Sequence, residues 1–123
     1  MAGPRWWWLV VFAAGTLMAS SGPSQESGPD WLKLTGEDWR RMEPDARLAY
    51  VDGFLAGAAL GQAAGRASDT AAVREVLEDL RQSGRLRFPF STNVYASRIS
   101  DYYWWTNHLP LPTWYAFLEV NTT

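Results

Sequence analysis

Residues 69–84 read DTAAVREVLEDLRQSG, and this stretch decides the fold class. Val73, Val76, Leu77 and Leu80 recur at i, i+3, i+4 and i+7, the spacing of one helix face. Arg74, Glu75, Glu78, Asp79 and Arg81 take the opposite face, where water solvates them. Asp69 suits an N-cap, because its carboxylate can accept from the unsatisfied first-turn amides. Gly84 suits the position just past the last turn, which favours a left-handed backbone. The pattern predicts a helix over 70–83 whose apolar stripe packs on other helices.

The preceding stretch predicts a longer helix over 44–63, with Pro44 at its first position and Asp45 near its positive end. Within it Gly53, Gly57, Gly61 and then Gly65 recur every fourth residue and form one drifting strip, opposite Leu48, Val51, Leu55 and Ala59. Each mid-helix glycine costs about 0.5–1 kcal/mol relative to alanine. The expected return is close approach of another helix at Gly53, Gly57 and Gly61, backbone to backbone, with Phe54 overhanging the strip. Such a helix is central in a soluble bundle or shared with a second subunit, giving a monomer or a homodimer through the glycine strip. Arg47 and Asp52 interrupt the segment and argue against a membrane span.

Farther out, Thr35-Gly36-Glu37-Asp38 reads as an N-cap with acids in the first turn, opening a short helix that runs to Met42. Its Trp39, with Trp31 and Leu34, is expected to lie as a lid on the later helices. Pro89 forbids helix just before it. Ser91 or Thr92 then caps a fourth helix to about Trp105, with Tyr95, Ile99 and Tyr102 inward beside Val94, Arg98 and Trp105. Pro110 and Pro112 break the chain again, and Thr113 is the expected cap of a last helix over 114–120. No segment alternates at period two. The fold class is all-α, a compact bundle of four to five helices forming a single domain over 31–123.

The amino-terminal segment reads as an address. Residues 1–5 carry Arg5, residues 6–18 (WWWLVVFAAGTLM) are uniformly apolar, and residues 19–22 are small. That order is the pattern of a secretory signal peptide, and thirteen helical residues reach only about 20 Å, short of a roughly 30 Å hydrocarbon core. Residues 1–21 are therefore expected to be removed, with cleavage after Ser21 first and after Ala19 second. Residues 22–30 form a flexible leader rich in Gly, Pro and Ser.

After position 21 the chain carries ten basic against thirteen acidic residues, a balance that argues against nucleic acid or an anionic membrane as a main partner. Nine of the ten basic residues are arginine, a bias that suits a GC-rich bacterial genome and makes export periplasmic. There is no cysteine, so stability rests on packing, for which five tryptophans, five tyrosines and four phenylalanines remain after position 21.

Few residues suggest chemistry. Asp52 lies on the edge of the apolar stripe without a basic residue three or four positions away. It is expected to be partly buried and to accept hydrogen bonds from Arg98, a tyrosine hydroxyl or a tryptophan N–H. His108 stands alone in the loop before Pro110. One histidine without cysteine makes no zinc site, and no nucleophile elbow accompanies it. The run Tyr102-Tyr103-Trp104-Trp105 points Trp104 away from the core stripe, making Trp104, Tyr103 and His108 the candidate binding patch. No metal, no cofactor and no enzymatic constellation is expected.

The spacing YVDGFLAG over 50–57, followed by a charged helix and ISDYYWWTNHLPLPTWYAFLEV over 99–120, resembles a set of small exported bacterial helical proteins of uncharacterised function. The shared elements are Tyr50, Val51, Gly53, Phe54 and Gly57, then Asp101, Tyr103, Asn107, Leu109, Pro110, Leu111 and Ala116. The first half is also loosely similar to the Rap1a/Tai immunity proteins, exported helical proteins that bind and block cell-wall amidase effectors. These resemblances imply a periplasmic protein that acts by binding a protein partner, with cell-wall carbohydrate as the alternative ligand.

Overall fold

A computed structural model describes residues 30–122. The expected signal peptide, and all of the expected leader except Asp30, lie outside the described residues. Among the described residues the chain is helical, beginning with a single 3-10 turn at Trp31–Lys33. There follow α1 (Gly36–Arg41), α2 (Pro44–Ala64), α3 (Thr70–Gln82), α4 (Thr92–Tyr102), a second 3-10 turn at Thr106–His108, and α5 (Thr113–Asn121). The bundle of five helices is the expected all-α architecture. The only strand-like pairing among the described residues is an isolated antiparallel bridge between Thr35 and Pro112.

The local signals explain most boundaries. The Asp38 carboxylate accepts from the Thr35 backbone N–H at 2.9 Å and from its hydroxyl at 3.3 Å, fixing the start of α1. Pro44 occupies the first turn of α2. The Asp69 carboxylate accepts from the Ala72 amide, and α3 ends in a Schellman motif. There Gly84 takes φ +69°, and the Arg85 amide reaches the Leu80 carbonyl at 3.0 Å. Ser91 caps α4, its hydroxyl accepting from the Val94 amide.

The core gathers where α1, α2, α4 and α5 meet. Trp39, Val51, Tyr95, Ile99, Tyr103, Leu109, Ala116, Phe117 and Val120 are buried together. Phe117 is the hub, stacked on Phe54 with ring centroids 3.7 Å apart and flanked by Tyr50, Phe88 and Tyr95 at 5.9–6.4 Å. The flanking pairs, at 5.9–6.4 Å, have the geometry that contributes about 0.5–1.5 kcal/mol each beyond the area they bury. Farther along the same flank of α2, α3 packs through buried Leu80 and half-buried Val73, Val76 and Leu77. Ala63 is buried on α2, and Gln62 binds the connection to α4 with both ends of its amide, donating to the Arg85 carbonyl and accepting from the Arg87 amide.

Four expectations need correction. Trp39 is no lid: it is buried in the core, and its indole N–H donates to Ser100 Oγ at 3.2 Å. Helix α4 stops at Tyr102, three residues short of Trp105. The following carbonyls of Tyr103 and Trp104 accept from the Arg40 guanidinium instead of from further helical amides. Thr113 does not cap α5; it is the first helical residue, buried, with its amide and hydroxyl both donating to the Leu34 carbonyl, at 2.7 and 3.1 Å. The glycine strip is not a contact inside the bundle. Among the described residues a Cβ built at Gly53, Gly57 or Gly61 meets nothing within 4 Å, because α3 and α4 pack on the other flank of α2.

The glycine that packing does require is Gly36. A Cβ there falls 2.6 Å from Tyr103 Cε1 and 2.9 Å from the Leu109 Cα, while the Gly36 amide donates to the Leu109 carbonyl at 3.0 Å. Gly36→Ala is therefore expected to destabilise the fold by about 1–3 kcal/mol or more through overpacking. Gly61→Ala, facing open space, leaves stability level or raises it by about 0.5–1 kcal/mol. Denaturant midpoints of the two variants check this, and equal shifts contradict it.

Candidate functional site

The residues singled out in the sequence lie around α4, and the fold separates them. Asp52 is exposed on α2. Its carboxylate accepts from the Thr92 hydroxyl, so it ties α2 to the first residue of α4. Its partner is thus neither an arginine nor an aromatic group. The other candidates stand past the far end of α4, about 15 Å away at 1.5 Å per residue. Asp52 shares no site with them.

At that far end, neighbouring residues diverge. Tyr103 is 1% exposed and belongs to the core, not to a binding patch. Its ring covers Gly36 and its hydroxyl donates to the Leu111 carbonyl at 2.9 Å. Burial disfavours the phenolate and pushes its pKa up to about 12. Trp104 and Trp105 instead emerge on the turn, 77% and 63% exposed. The early end of α4 frees Trp105 from the core stripe on which helical spacing had placed it.

His108 is positioned by its surroundings. Its ring stacks on Tyr102, centroids 4.2 Å apart and 18° from parallel, and its Nδ1 lies 2.7 Å from the Tyr102 carbonyl. A carbonyl only accepts, so this contact assigns the proton to Nδ1 and leaves Nε2 outward. His108, Trp105, Tyr102, Arg98, Asp101 and Glu119 line a shallow cleft of about 330 Å³. Arg98 is committed to structure: it donates to the Val120 carbonyl at 3.0 Å and lies over the Phe90 ring. The Tyr102 hydroxyl has a raised pKa, first through burial and then through the Glu119 carboxylate. The arrangement offers an aromatic face with acceptors beside it, suited to binding a partner or a ring with hydroxyl groups.

Sequence reasoning missed a second surface. Trp31, expected in the lid, is 62% exposed, since a three-residue turn is too short to fold it under α1. It stands 6.5 Å from the Tyr50 ring and walls an apolar groove of about 400 Å³ with Ala49, Tyr50, Gly53 and Phe54. Exposed Leu32 follows it, its carbonyl accepting from the Trp114 indole. The available signal was the Tyr50–Gly53–Phe54 spacing, which leaves a gap between two rings.

Compared with protein-family models, curated proteins and solved structures, the chain has no match.

The position of Tyr103 predicts an alkaline limit to stability. Its folded pKa, about 12, exceeds the ordinary value of 10, so the folded state holds the proton more tightly. This contribution is fully present below pH 10 and is lost as pH rises toward 12. Denaturation midpoints measured from pH 8 to 12 are expected to fall above 10, and to fall less steeply in Tyr103→Phe. An unchanged slope in that variant contradicts the assignment.

Proposed function

We propose that the protein is exported to the periplasm and acts there as a non-enzymatic module that binds a protein partner through Trp104 and Trp105. The observation that carries this reading is the pair of neighbouring exposed tryptophans on a turn whose backbone is already fixed. Arg40 holds the Tyr103 and Trp104 carbonyls, and His108 holds the Tyr102 carbonyl. Anchors held before binding lose little further freedom on association, and tryptophan desolvates a large area with two rotors. The resemblance to Rap1a/Tai immunity proteins supports an inhibitor-like form of that binding. The signal-peptide pattern over 1–21 supports export. Among the described residues no helix is long and apolar enough to cross a membrane.

Two measurements test this reading. Mass spectrometry of the protein from the periplasmic fraction is expected to find an amino terminus at Gly22, and an intact Met1 in the membrane fraction contradicts export. Trp104→Ala is expected to leave helical circular dichroism and melting temperature unchanged, since the side chain projects into solvent, while reducing recovery of the partner in a periplasmic pull-down by about tenfold or more. Undiminished recovery by a folded variant rules out the tryptophan turn as the contact.

The cleft beside Trp105, with the Asp101 and Glu119 carboxylates along its wall, favours a second reading as a cell-wall carbohydrate module. Retention on purified sacculi, lost in Trp105→Ala, is the result that selects it.

A further inference from the structure

The apolar groove at Trp31 lies on the same outward face of α2 as Leu60, the one large side chain standing free between Gly57 and Gly61. We infer that two copies of the chain pair through this face, antiparallel, with Leu60 of each copy seated in the groove of the other. Three observations fix the occupant.

The first is register. An antiparallel pairing about a two-fold axis beside Gly57 brings position 60 of one helix opposite positions 53 and 54 of its partner. These are the positions that floor the groove, between the Trp31 and Tyr50 rings. Leu60 is 53% exposed, so it is available as a knob, and the groove of about 400 Å³ has room for a leucyl side chain. Because a two-fold contact is isologous, the same fit occurs twice.

The second is charge. Between positions 46 and 64 the face centred on Gly53, Gly57 and Leu60 carries alanine, glycine, Leu60 and the Tyr50 ring and no charged residue, whereas the chain as a whole has a formal net charge of −2. Copies meeting on this face bring no like charges together.

The third is the open space itself. Among the described residues nothing comes within 4 Å of a Cβ at Gly53, Gly57 or Gly61, so the helix stability that each glycine costs has no return from packing among them. Their missing side chains let a second helix approach within the 8–10 Å of close packing and bring Leu60 down onto Gly53. The α2 face, about 27 Å long and 10 Å wide, is smaller than the roughly 800 Å² per partner of a standard interface even before Trp31 and Leu32 extend it. The pairing is therefore concentration-dependent.

Sedimentation equilibrium of the protein purified from cells expressing the full chain, over micromolar to millimolar concentration, is expected to show a monomer–dimer equilibrium. Leu60→Asp weakens it by about tenfold or more with unchanged helical circular dichroism, since two anchoring contacts are lost per dimer. As a second test, Gly57→Cys in this cysteine-free chain is expected to form a disulfide-linked dimer on mild oxidation, because the two-fold axis brings the pair within the 4.4–6.8 Å that a disulfide spans. Glu75→Cys, on the charged face of α3, stays monomeric under the same oxidation. A wild-type protein monomeric into the millimolar range overturns the inference. So does a dimer indifferent to Leu60→Asp and unlinked by Gly57→Cys, which places the interface elsewhere.

Discussion

The joint between the first helix and the last proline-bounded loop holds this bundle closed. Gly36 lies so near the Tyr103 ring and the Leu109 backbone that no side chain fits. Around it, the Gly36 amide binds the Leu109 carbonyl and the Thr113 amide and hydroxyl bind the Leu34 carbonyl. These bonds join residues more than seventy positions apart in a chain with no cysteine. A buried backbone group that fails to find a partner costs about 1–3 kcal/mol, so each bond constrains the position of the others. With the joint closed, Trp39 sits in the core and α5 lies across the bundle, which brings Phe117 to the centre of the aromatic cluster.

Arginine completes the arrangement in a way its abundance alone does not suggest. Arg47 on α2 donates to the Trp39 and Arg40 carbonyls that end α1. Arg40 on α1 donates to the carbonyls that follow α4, and Arg98 on α4 donates to the Val120 carbonyl near the end of α5. Each guanidinium thus meets the negative end of another helix, where the last carbonyls lack partners and the dipole favours a cation. The ion pairs of Arg81 with Glu78 and of Arg85 with Asp79 lie on the surface, where such pairs contribute little. The planar fork of arginine can serve two carbonyls from two nitrogens, as Arg47 does through Nε and Nη2, and a lysine cannot hold that geometry.

Local patterns made most of the helices legible in the sequence. Asp69, Gly84, Pro44 and Ser91 stand where their backbone chemistry is needed, and the Val73–Leu80 stripe faces inward as its period requires. The readings that failed depended on which neighbour arrives from far along the chain. Helical spacing placed Trp105 inward, yet the Arg40 contact takes over the carbonyls that a longer α4 would use. The spacing of Gly53, Gly57 and Gly61 predicted close approach by another helix, but among the described residues none packs on that strip: periodicity does not record which flank of α2 its neighbours take. Gly36 carried no periodic signal, and its necessity comes from a tyrosine sixty-seven positions away. The candidate site was legible only as an aromatic run. Helical spacing already pointed Trp104 outward, whereas the exposure of Trp105 follows from the end of α4 at Tyr102 and the burial of Tyr103 from its contact with Gly36.

The two outer faces of the α2–α3 pair place these outcomes in physical terms. Both helices present a side to the surroundings, and α3 covers its side with Arg74, Glu75, Glu78, Asp79 and Gln82. A face built for water looks like this, since charged side chains remain solvated and their stems cover the backbone. On α2 the corresponding side carries small residues, Leu60 and the edge of Tyr50, with no charge, and exposes helical backbone that glycine does not shield. The contrast arises within one short domain of one composition, so a general bias toward small residues does not account for it. A helix that meets water on one side and folds against its neighbours on the other needs one polar and one apolar side, a division that α3 has and α2 lacks. The sides of α2 differ in residue size rather than in polarity, which is the pattern of a helix packed on both sides.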